Sequence, residues 1–451
     1  MTSIPERIEK VLSLSKADDC IVMATRTSTS NVRWANNTAT TNGDARSEAI
    51  SIISIKGKKV GRVSSNYFPD DALEDLVRQS ERSCDGKPDA PDFMPLIAGD
   101  GSVPTGWADG REDLNGESVD FSRPVADLVK AFSKAGSLDV LLFGYASQTA
   151  YDLHLGTSSG VRRSHSYGEA GLTIVSKTPD FTVSASHSTD HSQIAEADVD
   201  AVYQRLMQRM EWSKKPISLP AGRYSVILEP AAVGELMYYA LIQMAARDAD
   251  EGRTAFSRPG GGSLVGDKLF PDFINMYSDP AEPGLERPDF VATPASGSFQ
   301  SLFDSGLDCS RTDWIKDGVL NSLITPRFWA AKKSTDPVPF VGNLIVEGDE
   351  SKPLPGLMAN TERALLVTRF WYTRMLDPQT LLLTGLTRDG VYLLEGGEVM
   401  GAVNNFRYNM SPVAALRQTT ELGASTTAFT ITKVPHLRVE DFNMSSVSQA
   451  S

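Results

Sequence analysis

Two long stretches of this chain are built from short strand-like runs separated by tight-turn signals, and they limit the possible folds most severely. Residues 138–188 (LDVLLFGYASQTAYDLHLGTSSGVRRSHSYGEAGLTIVSKTPDFTVSASHS) hold three or four candidate strands, with Gly156-Thr157-Ser158-Ser159-Gly160 as one turn. Residues 336–415 hold a second series, with Arg388-Asp389-Gly390 and Glu395-Gly396-Gly397 as hairpin signals. Earlier, 20–37 and 49–66 are rich in β-branched residues, and Lys56-Gly57-Lys58-Lys59 reads as a hairpin turn. A chain of this kind must pair strands locally and mostly antiparallel.

Helical patterns interrupt the strands. Ile8, Val11 and Leu12 make a stripe over 5–15, and Leu73, Leu76 and Val77 one over 72–84, with Asp70 or Asp71 as a cap. Further helices are expected over 122–135, 195–214 and, after an apolar strand at 222–230, over a long run from 231 to 247. Pro- and Asp-rich 87–116 reads as a surface connection, Gly/Pro-rich 250–300 as loops, and the polar tail beyond Asp441 as disordered. The expected fold class is therefore α+β: an N-terminal α/β domain with an antiparallel sheet (1–220), then a C-terminal β-rich domain with one long central helix (221–451).

Charge and composition exclude several functions. With 44 Lys plus Arg against 57 Asp plus Glu, the net charge of -13 argues against nucleic acid as a partner. No run approaches the ~20 apolar residues of a membrane span, and charged residues interrupt the first 20, so no membrane partner and a cytoplasmic location are expected. Three scattered cysteines (Cys20, Cys84, Cys309) do not make a disulfide framework.

Chemistry-bearing patterns are few. None of the five histidines is followed by Glu, so the helical His-Glu pair of zinc hydrolases is missing. His187 and His191 have helical ligand spacing, but Ser, Thr and Asp surround them and they read as solvated loop residues. There is no G-x-S-x-G elbow, and Cys309 reads as a structural or free surface thiol. Pro259-Gly260-Gly261-Gly262 lacks the Lys-Ser/Thr of a phosphate loop. In TRFWYTRM (368–375), Arg369 and Arg374 flank Phe370, Trp371 and Tyr372; strand alternation puts Trp371 with Arg369 and Thr373 on one face, and Phe370 with Tyr372 on the other.

The block RALLVTRFWYTRMLDPQTLLLTGLTRDGVYLLEGGEVMGAVNNFRYNMSP (363–412) resembles the C-terminal core of the TldD/PmbA metallopeptidase family. GDKLFPDFINMYSDPAEPG (266–284), GVLNSLITPRFWA (318–330), LGTSSGVRRSH (155–165) and VPHLRVEDFN (434–443) are similar to other parts of it, so the resemblance runs from about residue 5 to 443. It implies an N-terminal α/β domain and a β-rich, barrel-like C-terminal domain. It also implies two kinds of subunit: TldD-like chains with HExxxH on the central helix and a C-terminal cysteine ligand, and TldE (PmbA)-like chains without them that pair with the first kind. The family is linked to peptide maturation, antitoxin degradation and, by name, DNA gyrase.

On the corresponding helix here, Gly234, Glu235 and Tyr239 stand in the closest register to HExxxH, and no cysteine follows Cys309. The resemblance thus implies a TldE-like subunit with no catalytic residue and no metal of its own, paired with a zinc-bearing TldD-like HExxxH subunit as a heterodimer or higher assembly acting on a peptide or small amide. Arg369, Trp371, Tyr372, Asn405 and Arg407 are the candidates for a substrate or partner groove. The alternatives are a stand-alone binding or regulatory protein without peptidase activity, and an enzyme using His187 and His191.

Overall fold

The structure is a computed structural model that describes residues 2–105, 107 and 121–448, so the second part of the connector expected at 87–116 lies outside the described residues. The N-terminal half contains α1 (Ile4–Leu14), β1 (Asp19–Ala35), β2 (Thr38–Lys56), β3 (Lys59–Ser65), α2 (Leu73–Arg82), α3 (Ser122–Gly136), β4 (Leu141–Thr157), β5 (Arg162–Lys177), β6 (Ser184–His191) and α4 (Val199–Trp212). Its six strands form one antiparallel sheet in the order β3-β2-β1-β4-β5-β6. The turns expected at Lys56–Lys59 and 156–160 join β2 to β3 and β4 to β5.

Period-two alternation sorts the buried residues of β1 between two cores. Val22 and Ala24 pack with Ile4, Ile8, Leu73 and Val77 of α1 and α2. Ile21 and Met23, on the opposite face, pack with Phe290, Leu302 and Phe303 from the second half of the chain. At the other end of the sheet, Leu172, Ile174 and Ala185 pack under α3 and α4. Helix α1 starts in a capping box, Ser3 with Glu6. No side chain caps α2: Ala72 holds the cap position, and Asp70 is drawn away to Thr2 and Arg7.

The second half contains β7 (Pro216–Ile217), β8 (Gly222–Leu228), α5 (Pro230–Leu241), α6 (Ala246–Asp250), β9 (Met276–Ser278), β10 (Thr312–Lys316), β11 (Val319–Leu320), α7 (Arg327–Lys333), β12 (Leu344–Val346) and α8 (Leu354–Ala359). It continues with β13 (Arg363–Val367), β14 (Phe370–Asp377), β15 (Leu382–Thr387), β16 (Val391–Glu395), β17 (Glu398–Val403), β18 (Phe406–Met410), α9 (Pro412–Arg417), β19 (Thr419–Ala428) and β20 (Thr432–Val447). These strands make one curved, barrel-like sheet that branches at β20 and does not close. Helix α5 lies against it, with Ala232, Val233, Leu236, Met237, Ala240 and Leu241 in the largest core. No helix among the described residues is long and apolar enough to cross a membrane.

Four local expectations change. The central helix is shorter than 231–247: after Leu241 the backbone pairs with 324, Ile324 donating to Met244 and Ala246 to Ile324, and only then does α6 begin. The tail beyond Asp441 is not disordered within the described residues. β20 runs to Val447, with Phe442 and Met444 fully buried where it meets β8 and β18. Arg388-Asp389-Gly390 is a turn but not a hairpin, since β15 pairs with β14 and β18 while β16 pairs with β13 and β17. Lastly, a bulge in β14 places Tyr372 at φ 53°, so Trp371 and Tyr372 both face outward and Phe370 and Thr373 inward.

Candidate functional site

Besides the packing of β1 on the second half, the two halves meet along the edge strand β6. Asp389, at the turn after β15, accepts a hydrogen bond from the Ser184 hydroxyl (2.6 Å), and its carbonyl accepts from the Ser186 backbone N–H (3.1 Å). Arg369, just before β14, pairs with Asp389 (3.1 Å) and donates to the Ser186 hydroxyl (3.0 Å). Beside the seam lies a cavity of about 230 Å³, lined by β6, by Arg205 and Arg209 of α4, by Glu229 and the first residues of α5, by Thr426, Thr427 and Ala428 of β19, and by His436 of β20.

Its floor is a buried ion pair. Arg209 Nη2 donates to both oxygens of Glu229 at 2.7 and 2.6 Å, and both side chains are almost fully enclosed. Arg209 also donates to the Ser186 carbonyl, while its Nε has no partner. Burial alone would raise the Glu229 carboxyl; the Arg209 charge, helped by Arg205, outweighs it and holds the group below the usual carboxylate range. Burial, helped by Arg209, pushes the His187 imidazole down to about 3, and His436 is lowered for the same first reason. Both rings are neutral at pH 7. Burial pushes the Asp190 carboxyl up to about 6, against hydrogen bonds from the Phe429 and Thr430 backbone.

His187 and His191 are therefore on a strand, not in a solvated loop. Four strand residues separate them by roughly 13 Å, and their surroundings differ: His187 lines the cavity, whereas His191 approaches Glu196 at 3.9 Å. They cannot grip one ion together. Cys309 is buried, not at the surface, and burial pushes its thiol up to about 12, so it is no nucleophile.

The helix positions singled out in the sequence lie along α5, beyond this cavity. A Cβ on Gly234 would stand 2.8 Å from the Thr432 hydroxyl and 3.3 Å from Phe429 Cβ. Glu235 is half-buried; desolvation raises its pKa, against a hydrogen bond with Thr373 and the charge of Arg369. Tyr239 donates to the Thr373 carbonyl (2.8 Å). The five groove candidates are split. Arg369 borders the seam cavity and, with Arg388, clasps the Trp371 ring, each guanidinium 5.0 Å from its centroid. Tyr372 and Arg407 line a separate shallow hollow with Arg374, and Asn405 faces Thr387 at 3.4 Å.

The model of the PmbA/TldA metallopeptidase C-terminal domain matches residues 221–446, and that of domain 1 of the same family matches 20–84. The chain belongs to the TldD/PmbA family. No curated protein matches the chain. Among solved structures, TldE from Thermococcus kodakarensis is similar at 16% identity and a TM-score of 0.80, covering 97% of this chain and 98% of that one. A protein from Thermotoga maritima described as a candidate modulator of a DNA gyrase is similar at 16% identity and 0.78, covering 97% and 99%. One from Bacteroides thetaiotaomicron with a like description gives 14% and 0.76, covering 98% of each chain. At these identities the likeness speaks for the TldD/PmbA fold.

Sequence reasoning missed Arg209, Glu229, Asp190, Arg205 and His436, and set His187 aside. One signal was readable: Glu229 follows an apolar strand and precedes Pro230, where a carboxylate enters a helix N-terminus already buried.

Proposed function

We propose that this TldD/PmbA-family chain is the non-zinc, TldE-like subunit of a heteromeric zinc metallopeptidase. Its partner is a TldD-like HExxxH chain that supplies the zinc, and the substrate is a peptide or small amide. The observation that carries the reading is the packing at Gly234. An imidazole there would have to displace the buried Thr432 and the Phe429 turn, and the other two positions hold their polar atoms against Thr373. A glycine, one carboxylate and a phenol committed to a carbonyl do not fit a zinc ion, which needs three or four nitrogen, sulfur or oxygen donors. No catalytic step is assigned to these residues.

In this reading the chain contributes surface and shape. Trp371, fixed between two arginines, and the outward Tyr372 and Arg407 belong to the substrate or partner face. Purified alone, the chain is expected to hold no stoichiometric zinc and to cleave no peptide. Copurified with an HExxxH-bearing family member, it should give one zinc per heterodimer and cleavage. Stoichiometric zinc in the isolated chain overturns the reading; failure to associate with any such partner favours a stand-alone binding protein.

A further inference from the structure

We propose that the seam cavity is a binding site for a small carboxylate, of the size of a peptide C-terminal residue, with Arg205 as its principal anchor. The inference goes beyond the two-subunit reading and needs only this chain.

One cation of the cavity has no direct acceptor. Arg209 is matched by Glu229 and Arg369 by Asp389, and the remaining carboxylate of the lining, Asp190, takes backbone hydrogen bonds from Phe429 and Thr430 and forms no ion pair among the described residues. Arg205 lines the same cavity, is half-buried, and makes no ion pair or hydrogen bond among the described residues. A guanidinium in a partly enclosed site without an acceptor is costly, and an anion repays that cost. Around it stand groups that can donate without adding a fixed charge: the neutral His187 ring and the hydroxyls of Ser188 and Thr426. The neutral His436 ring is not one of them, because its proton is held at Nδ1, 3.3 Å from the Ala424 carbonyl. One independent feature points the same way: the Nε of Arg209, a residue only 1% exposed, is a donor with no acceptor.

Size narrows the ligand. At about 230 Å³ the cavity is smaller than the ~300–1,000 Å³ of drug-sized sites, so it suits a terminal residue or a single small acid. Planar carboxylate matches an arginine fork bidentately.

The test titrates the isolated full chain with Gly-Gly, with Gly-Gly amide and with inorganic phosphate, by calorimetry. Gly-Gly is expected to bind at least tenfold more tightly than its amide. Arg205→Gln should abolish that preference while Arg205→Lys keeps part of it, and both variants should stay folded because Arg205 makes no ion pair or hydrogen bond among the described residues. Equal binding of acid and amide, or full binding by the folded R205Q protein, overturns the site. Phosphate binding without Gly-Gly binding overturns the carboxylate assignment. None of these outcomes depends on whether a zinc-bearing partner exists, so the site and the subunit reading fail separately.

Discussion

Helix α5 carries two glutamates less than two turns apart, and its N-terminus and its middle treat them in opposite ways. Glu229 sits at the N-terminus, fully enclosed, and is held ionised by Arg209. Glu235 sits mid-helix, half-buried, against Thr373, and its carboxyl is raised by burial. The difference is the nature of the neighbour. At the seam a cation from α4 crosses between the halves of the chain; mid-helix, the nearest groups are a hydroxyl and a guanidinium already committed to Asp389. The seam therefore buries a matched ion pair, Arg209 with Glu229, whereas the middle of α5 is a place of close packing.

The largest effect should come from breaking the seam pair. Arg209→Met leaves Glu229 buried without its cation and is expected to cost ~3–5 kcal/mol in urea denaturation. The double variant R209M/E229L removes both charges and should recover most of that loss. A single-variant loss below about 1 kcal/mol, by the same measurement, would mean water reaches Glu229 and the contrast between the N-terminus and the middle of α5 is false.

Gly234→Ala probes the packed middle. The added Cβ meets the Thr432 hydroxyl at 2.8 Å, and Thr432 is buried and β-branched, with its hydroxyl bonded to the Ala428 carbonyl. Overpacking costs ~1–3 kcal/mol, against which the better helix propensity of alanine returns about 1 kcal/mol. A net loss is expected, and T432A in the same chain should reverse it. Were G234A simply stabilising, α5 would have room to spare and the argument against an imidazole at this position would lose its footing.

The same contrast explains what the sequence allowed to be read. Strand runs and the turns at Lys56–Lys59, 156–160 and 395–397 were legible because alternation and turn chemistry are local. The end of β20 was not, because Phe442 and Met444 are only two apolar residues spaced by polar ones, and their burial depends on β8 and β18. Helix α5 looked longer than it is because Gln243, Met244 and Ala245 suit a helix until residue 324 offers them strand-like partners. The seam cavity was invisible for the same reason on a larger scale. Its charged residues come from β6, α4, the start of α5 and β20, and no spacing rule joins positions 187, 205, 209, 229 and 436.

The smallest effect is a pH dependence of opposite sign at the two carboxylates. Glu229, with its folded pKa held down, contributes stability that is present above the unfolded carboxylate value of ~4.3 and lost as pH falls through the folded value. Glu235, with its folded pKa raised, contributes stability that is complete below ~4.3 and lost as pH rises through the folded value. Glu235→Gln removes the second dependence and leaves the first. The stability difference between wild type and E235Q, measured by urea denaturation from pH 4 to 7.5, should therefore shift in favour of the variant as pH rises. Because Glu229 titrates in both proteins, it cancels from the difference. A flat difference would mean that water solvates the Glu235 carboxylate in the folded chain as well as in the unfolded one, and that Thr373 and Arg369, not burial, set its protonation.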